Sequence, residues 1–384
     1  MNLRHILVGF IFYILPSILF SQIKCDTLLN IEAADGVNHI RCKINDRHIV
    51  NIVSIDLTNP DLKFESFRAD SLQRTTTQAS ANEEIGKQVI AAINGDFFSF
   101  QSGFPINGHV QNSVPVFIPK LNQTQLIFSD KQKPFLENLS ISIIGIIKTD
   151  TFIIDGVNRN NNINTIKLFN KFGALYKLDN SNLLIDLRLL KPINYLNDTI
   201  LFVITNLNSN LISNDSLYIL SIPKSLSPEY KFNFSDTVKI IFSINPMINN
   251  VTDIISGNGH LLKNNFTSKE DFSKSFHLTE HPRTLIGFNY DTTKFYFLVV
   301  DGRQTSSIGM SFETMVEVLK FWNISNALNL DGGGSTTMVI HNQIVNSPSD
   351  FTGERNVANS LQLISKTPLK KFISERKNYV ISNK

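Results

Sequence analysis

The chain has 384 residues, of which 42% are hydrophobic and 18% charged, so it holds enough apolar material for a folded core and is not a disordered protein. Its formal net charge is only +3 and no basic stripe is present, which gives no indication of nucleic-acid binding. With two cysteines, a cysteine-rich zinc module and a disulfide-dense scaffold are both excluded. As a soft prior, the length predicts two domains or one large domain.

The first twenty residues are typical of a secretory signal peptide. A basic start at Arg4 and His5 is followed by an apolar run over residues 6–20 and by the small residue Ser21. The alternative is a membrane anchor, but the run is shorter than the roughly 20 residues that span a bilayer. We therefore expect cleavage near Ser21 and a secreted, periplasmic or cell-envelope protein with no stable membrane insertion afterwards.

Cys25 and Cys42 are the two cysteines of the chain. In an oxidising compartment they could form a disulfide across the N-terminal segment, or they could be two unrelated thiols. The sequence leaves both interpretations open.

The N-terminal part of the chain is predicted to be rich in strands. Residues 48–56 are β-branched and bounded by Asn and Pro, which favours a strand, whereas residues 71–87 are polar and compatible with a helix. Residues 89–93 form a short, wholly apolar run that predicts a buried central strand. That strand ends at Asn94-Gly-Asp-Phe-Phe98.

The middle of the chain, from about residue 112 to 255, contains many short apolar runs separated by Asn, Pro and Asp. These runs predict a β-rich insertion or substrate-facing subdomain without a helix. The predicted strands cover residues 126–128, 141–147, 200–204, 218–222 and 238–244.

The last third predicts two strands, a helix and two further strands. Residues 284–288 and 295–300 read as strands on either side of a turn. Ser311 is a plausible N-cap for a helix whose apolar face ends near Asn323. Short buried strands at 327–330 and 337–340 then flank the glycine run that starts at Asp331.

Three strand ends carry an acid beside glycine, at Asp96, Asp301 and Asp331. An apolar strand ending in this way places a carboxylate at the rim of a sheet, where the backbone can approach a ligand closely. A single Asp-Gly is most often only a turn, but three consecutive glycines followed by Ser-Thr-Thr exceed what a turn needs. The glycine run is neither a P-loop nor a dinucleotide fingerprint.

Arg283 and Arg355 are candidates for binding an anion, with a solvated arginine or a structural ion pair as the alternative for each. His260 and His281 lie near the same segments and are of second rank. The chain has no Gly-X-Ser-X-Gly elbow and no His-Glu-X-X-His motif, and neither cysteine has the setting of a nucleophile.

Several motifs, in order, resemble those of the phosphodiester glycosidase family. They cover roughly residues 88–365, with a weak match over about 112–255, and are Asn94-Gly-Asp-Phe-Phe98, residues 103–108, Gly257-Asn-Gly-His260, His281-Pro-Arg-Thr284, Val300-Asp-Gly-Arg303, residues 309–311, Asn329-Leu-Asp-Gly-Gly-Gly-Ser335, residues 345–350 and Glu354-Arg-Asn-Val357.

This resemblance implies an α+β fold of mixed, strand-rich sheets with a few packing helices. The implied organisation is a signal peptide at 1–21, a β-rich N-terminal segment at 22–87 that packs on the core, a phosphodiester-glycosidase-like domain at 88–365 with the divergent middle, and a basic polar tail at 366–384.

The implied reaction is hydrolysis of the glycosidic bond of a sugar-1-phosphodiester, like that of N-acetylglucosamine, with release of free sugar. The implied catalytic residues are Asp331, Asp301 and Asp96. Asp331 is the leading carboxylate, as base or nucleophile, and Asp301 the second, while Asp96 and Asn94 position sugar hydroxyls or a metal. The implied phosphate clamp is Arg283 and Arg355 with the amides of the glycine run, and the substrate-binding set is Asn94, Arg283, Thr284, Arg303, Gly332, Gly333, Gly334, Ser335 and Arg355.

The expected partner is a sugar-phosphodiester or glycan, with no nucleic acid and with the oligomeric state left open. No cofactor is certain, and a divalent metal stays open. Two rival functions remain: an exported, non-catalytic protein that binds carbohydrate or cell-envelope polymer, and a metal-dependent phosphodiesterase that cleaves the P–O bond. Inversion or retention depends on a carboxylate separation of roughly 6.5–9.5 Å or roughly 5–5.5 Å, which sequence does not give.

Overall fold

The structure, a computed structural model, describes residues 23–85, 87–118, 123–130, 132–159, 164–173, 181–207, 217–268 and 274–366. The predicted signal peptide lies outside these residues, as does the predicted tail apart from Lys366. Within the described part, no helix has the length and apolar character to cross a membrane.

The described residues contain three α-helices, which are α1 (Thr75–Glu84), α2 (Ser275–Leu278) and α3 (Phe312–Phe321). The first strands are β1 (Cys25–Ala34), β2 (Val37–Ile44), β3 (His48–Asp56), β4 (Leu62–Phe67), β5 (Gln73–Arg74), β6 (Gln88–Asn94), β7 (His109–Gln111), β8 (Val114–Phe117) and β9 (Gln123–Ser129). The middle strands are β10 (Pro134–Ile147), β11 (Asp150–Ile154), β12 (Lys167–Phe169), β13 (Leu183–Leu189), β14 (Thr199–Asn206), β15 (Leu217–Ile222), β16 (Thr237–Asn245), β17 (Val251–Ser256), β18 (His260–Lys263) and β19 (Phe266–Thr267). The last strands are β20 (Arg283–Phe288), β21 (Lys294–Val300), β22 (Asn326–Asn329), β23 (Met338–Ile340), β24 (Gln343–Ile344), β25 (Asn356–Val357) and β26 (Ser360–Ser365).

The chain is rich in strands and has few helices, as the sequence predicts. An eight-stranded sheet has the order β1-β2-β3-β21-β20-β22-β18-β19, and a five-stranded sheet has the order β24-β23-β6-β26-β4. The middle of the chain forms most of an eleven-stranded sheet, β12-β15-β13-β14-β16-β10-β9-β17-β7-β8, with β11 paired to β10. All five strands predicted in the middle of the chain are confirmed within this sheet.

The eight-stranded and five-stranded sheets pack face to face around a core of aliphatic and aromatic side chains. Phe64 from one sheet packs against Phe295 of the other in a tilted arrangement, with ring centroids 4.6 Å apart. The predicted central strand at 89–93 is confirmed as β6, which pairs with β23 on one side and β26 on the other. Burial of these apolar strands on both faces accounts for their continuous hydrophobic sequences.

Helices cover the outer faces of this sandwich. The predicted N-cap is confirmed, since Ser311 Oγ accepts from the backbone N–H of Thr314 at 3.3 Å and α3 follows it. The apolar face of α3 packs on the outer side of the eight-stranded sheet, and α1 lies over the five-stranded sheet through Ala79. The two sheets therefore have buried faces, and their strand ends form the accessible rims.

The N-terminal segment is part of both sheets. Strands β1, β2 and β3 extend the eight-stranded sheet beyond β21, while β4 is the edge strand next to β26. Cys25 and Cys42 lie on the paired strands β1 and β2 in one apolar cluster, and both thiols are free. Burial raises the pKa of the Cys42 thiol.

Candidate active site

One end of the sandwich brings together polar residues from both sheets, and Asn94 connects them. Its Oδ1 accepts from Thr284 Oγ1 at 2.8 Å and from the Thr337 backbone N–H at 3.0 Å. Its Nδ2 donates to the main-chain carbonyl of Asp331 at 2.6 Å. Because Asn94 is fully buried and uses both ends of its amide, it is a positioning residue that fixes the loop after β22 against β6 and β20.

Asp331 follows β22 at this end and is the partly exposed acid of the site. Its N–H donates to the Gly95 carbonyl at 3.0 Å, which attaches it to the loop after β6. Partial burial raises the pKa of its carboxyl to about 6, against the opposing effects of the Ser335 hydroxyl and the Arg355 charge. Because neutral pH lies above this pKa, the carboxyl group is mostly ionised there.

Asp96 is the acid that lies electrostatically closest to Asp331 among the three predicted carboxylates. Its two oxygens accept from Asn107, from Nδ2 at 2.9 Å and from the backbone N–H at 3.0 Å. Burial raises the pKa of this carboxyl to about 7 despite these hydrogen bonds, and the negative charge of Asp331 adds to the rise. The side chain is 1% exposed, so Asp96 lies beneath the surface that a substrate would contact.

Gly95 lets Asn359 lie close to the loop that carries Asp96. A Cβ at this residue would lie 2.3 Å from Oδ1 of Asn359, and that oxygen accepts the Asp96 backbone N–H at 2.9 Å. Gly95 N–H also donates to the Asn359 carbonyl. Any larger residue would therefore push β26 away from the loop that carries Asp96.

Asp301, the predicted second carboxylate, has a different setting. It is 2% exposed, and its Oδ1 accepts from the Ser347 backbone N–H at 2.9 Å and from Asn346 Nδ2 at 3.2 Å. The same Asn346 amide donates to the Thr336 carbonyl, so Asp301 anchors the segment after β24 to the end of the glycine run. Burial raises the pKa of this carboxyl, against the Ser347 N–H. Asp331 is thus attached to the loop that carries Asp96, whereas Asp301 holds the segment after β24.

The glycine run uses most of its amides internally. Gly333 N–H donates to Pro282, Ser335 N–H to Gly332 and Thr336 N–H to Gly333, which closes a single 3-10 turn at Gly333–Ser335. The Gly332 amide interacts with the Asp331 carboxylate. Three of the four amides expected to hold an anion, those of Gly332, Gly333 and Ser335, therefore already interact with protein oxygens.

Two guanidinium groups lie directly over this run. A Cβ on Gly333 would be 3.2 Å from Nη2 of Arg303, and one on Gly334 would be 2.1 Å from Nη2 of Arg355. Arg355 forms a bidentate ion pair with Asp350, with Nε to Oδ2 at 2.7 Å and Nη2 to Oδ1 at 2.9 Å. Arg303 is exposed and has a left-handed backbone with φ of 59°. These two arginines are positioned to bind an anion beside Asp331.

Arg283, the other arginine of the predicted clamp, points away from the glycine run. It is 1% exposed and donates to the carbonyls of Met310, Phe276 and Thr279 at 2.7–3.0 Å. Its guanidinium lies 4.6 Å from the ring centroid of Phe276 and 4.8 Å from that of Phe312.

This position makes Arg283 a structural residue, whereas Arg303 lies beside the glycine run. Burial and the neighbouring charge of Arg303 lower the pKa of Arg283 to about 10. A strand residue alternates between the two faces of its sheet, so Arg283 faces α3 whereas its neighbour Thr284 faces Asn94.

The sequence did not single out four residues that build the site. They are Asn107, Asn346, Asp350 and Asn359, and each acts through a tertiary hydrogen bond or ion pair. The chain is rich in Asn, so asparagine content alone gave no signal. Asp350 lies within a motif of the family resemblance, but its pairing with Arg355 depends on the conformation of the loop between them.

No group of three or more His, Cys, Asp and Glu side chains among the described residues has an arrangement that could hold a metal ion. The oxygens of Asn94 and Asp96 are hydrogen-bonded to protein donors. The predicted second-rank histidine His281 lies near Arg303, and burial lowers its pKa. Two buried hydroxyls beside the glycine run, those of Thr336 and Thr337, have no hydrogen-bond partner among the described residues.

Comparison with known proteins confirms the family resemblance in part of the chain. The sequence model of the family described as phosphodiester glycosidase matches residues 204–364. This segment contains Asp331, Arg303, Asp350 and Arg355, whereas Asn94 and Asp96 precede it. A search of curated proteins gives no match.

Solved structures share the fold at low sequence identity. A hypothetical protein from Synechocystis aligns with a TM-score of 0.67 and 18% identity. The alignment covers 89% of this chain and 64% of that protein. A proposed exported protein of Burkholderia pseudomallei K96243 aligns with a TM-score of 0.62 and 15% identity, over 84% of this chain and 76% of the other.

The zebrafish N-acetylglucosamine-1-phosphodiester alpha-N-acetylglucosaminidase catalytic domain, auto-inhibited by its pro-peptide, aligns with a TM-score of 0.41 and 13% identity. That alignment covers 89% of this chain and 82% of the other, and at this TM-score it carries no argument.

Proposed function

From the match of residues 204–364 to the phosphodiester glycosidase family, we propose that this protein is an exported hydrolase. Its proposed substrate is a sugar-1-phosphodiester, of the N-acetylglucosamine-1-phosphodiester type, and the bond cleaved is the glycosidic C–O bond. The observation that carries the proposal is the position of the Asp331 carboxylate beside two guanidinium groups on one glycine run.

The proposed roles follow from the chemistry of the substrate. Cleavage of the glycosidic C–O bond releases a phosphate monoester, a stable anion that needs little protonation, so the site must chiefly hold the phosphate and stabilise positive charge that develops on the sugar. Arg303 and the free N–H groups of Arg355 would hold the phosphate. Asp331 would act on the sugar side, as the base that activates water or as the nucleophile.

Asp96 and Asn94 are proposed as positioning residues. Asn94 fixes the main chain of Asp331, and Asp96 lies under it with a pKa of about 7. A second carboxyl that is partly protonated near neutral pH lowers the negative charge beneath Asp331. Asp301, with Asn346, would hold the segment after β24 in place.

The test is to identify the bond that is broken. The purified protein is incubated in ¹⁸O-labelled water with the methyl diester of N-acetylglucosamine 1-phosphate, and the products are analysed by mass spectrometry. We expect ¹⁸O in the free sugar and none in the released methyl phosphate. Label in phosphate, or release of the sugar phosphate, would show P–O cleavage instead. Absence of turnover over a panel of sugar-phosphodiesters and nucleotide-sugars would favour the non-catalytic binding protein.

A parallel incubation with EDTA addresses the metal-dependent alternative. Full activity after chelation is the result expected if arginines alone neutralise the phosphate. Loss of activity that returns with a divalent cation would contradict the assignment of the clamp to Arg303 and Arg355.

A further inference from the structure

The ion pair between Arg355 and Asp350 is the feature of the site that its proposed chemistry does not require. The pair is bidentate, partly exposed, and lies on Gly334, where a Cβ would meet Asp350 Oδ1 at 2.0 Å. A carboxylate placed among the groups that should hold an anion weakens their attraction for it. The position of Asp350 should therefore affect which anions the site binds.

The charges over the glycine run can be counted from these contacts. Asp350 compensates Arg355, whereas Arg303 forms no ion pair with a described residue. Asp331, which carries a further negative charge when ionised, lies on the same run. The two guanidinium groups and the two ionised carboxylates on this run thus sum to no net charge, so a second negative charge on a bound anion gains no net attraction, while the N–H groups of Arg355 that do not contact Asp350 stay available to the anion.

We propose that Asp350 is a specificity-determining residue that limits the bound anion to a single negative charge, so that phosphodiesters are accepted and phosphomonoesters are disfavoured. This inference rests on the proposed function, because it assumes that Arg303 and Arg355 hold the substrate phosphate. A phosphodiester carries one negative charge near neutral pH, whereas a phosphomonoester carries about 1.5 to 2 because its second pKa is about 6.

Coulomb's law predicts how removal of the Asp350 charge changes this preference. Repulsion from Asp350 acts once on a monoanion and nearly twice on a dianion at the same position. Neutralising Asp350 should thus strengthen binding of both anions, and it should strengthen dianion binding more. The ratio of the two affinities reports the charge effect, whereas a merely structural role of Asp350 in the loop would alter both affinities in parallel.

The experiment compares wild type with Asp350→Asn, which keeps the shape and one hydrogen-bond acceptor. Dissociation constants for dimethyl phosphate and methyl phosphate are measured at pH 7.5 by NMR titration, because a glycosidase cleaves neither probe. We expect wild type to prefer dimethyl phosphate, and the variant to shift the ratio toward methyl phosphate by about fivefold or more. Asp350→Ser serves as a second neutral variant if Asp350→Asn does not fold.

Asp236→Asn is the matched control, since it removes one carboxylate from an ion pair with Lys148 that contacts no residue of the site. It should leave the ratio unchanged. An unchanged ratio in both neutral Asp350 variants, or a wild type that binds neither probe, would overturn the inference. Hydrolysis of the sugar-phosphodiester by wild type is measured separately, so a shifted ratio without turnover would reject the proposed reaction and an unshifted ratio with turnover would reject only the role of Asp350.

Discussion

The side-chain amide of Asn94 donates to the main-chain carbonyl of Asp331 at 2.6 Å, across 237 positions of the sequence. This hydrogen bond joins the end of β6 to the loop after β22 and so connects the two sheets of the sandwich. Asp331 is therefore positioned through its backbone, and its carboxylate takes no part in these contacts.

Asp331→Asn should reduce kcat for a sugar-1-phosphodiester by about 10²- to 10⁴-fold, because an amide is neither a base nor a nucleophile. The fold should persist, since the backbone contacts of Asp331 to Gly95 and Asn94 do not involve its carboxylate. Steady-state kinetics and a thermal melt measure the two effects. A loss of less than about tenfold in kcat would remove Asp331 from the chemistry.

Asp301→Ala should affect stability more than the chemical step. It leaves the Ser347 backbone N–H and the Asn346 amide without the Oδ1 acceptor, which should cost about 1–3 kcal/mol in the free energy of unfolding. Urea denaturation gives this cost, and kcat of the folded fraction should stay within about tenfold of wild type. A loss in kcat as large as that of Asp331→Asn, without loss of stability, would return Asp301 to the catalytic group.

Arg303→Asn should raise KM for the phosphodiester by about 10- to 100-fold, because one charge-assisted contact to phosphate is lost. Asparagine is chosen because it tolerates the left-handed backbone at this position. Arg188→Asn, an exposed arginine on β13, is the control for the change in net charge and should leave KM unchanged. Equal KM in wild type and Arg303→Asn would show that the exposed guanidinium does not bind the substrate.

Stability should depend on pH through Asp96. Its folded-state pKa of about 7 lies above the ordinary value of 3.8, so between these values the folded state binds more protons than the unfolded state. The sign follows: this contribution to stability is fully present below about pH 3.8 and is lost as the pH rises through about 7.

The free energy of unfolding should accordingly decrease between pH 5 and pH 8, and Asp96→Asn should flatten that decrease. Urea denaturation at pH 5, 6, 7 and 8 measures both slopes. Asp236→Asn is the control, because the hydrogen bond to Lys148 lowers the pKa of Asp236, which stays ionised over this range. Identical slopes in wild type and Asp96→Asn would mean that Asp96 titrates as an ordinary carboxyl.

Local features of the sequence predicted the strands well. The apolar run of β6, the hairpin β20–β21 and the N-cap of α3 depend on neighbours within a few residues, and all are found where expected. The three acids beside glycine, Asp96, Asp301 and Asp331, each follow a strand, as the sequence indicates. Which loops meet depends on how one sheet stacks on the other, and the stacking attaches Asp331 to the loop that carries Asp96 through the Gly95 carbonyl.

Arg283, one of the two arginines of the predicted clamp, illustrates the same limit. Arg283 and Arg303 both flank apolar strands, and charge alone does not distinguish them. Arg283 lies in the strand register on the face covered by α3, whereas Arg303 follows Gly302 in a left-handed conformation that leaves its side chain exposed. Arg355 was expected in the clamp and lies over the glycine run, but its partner Asp350 was not foreseen.

Strand β26 lies between β6 and β4, so a C-terminal strand is inserted between two that are made first. An expression fragment limited to residues 204–364 would lack β6, Asn94 and Asp96 and would leave both long edges of β26 without their neighbours. Truncation studies should therefore retain the chain from β1 onward, and a nascent chain on the ribosome cannot assemble this site until its last strand has emerged.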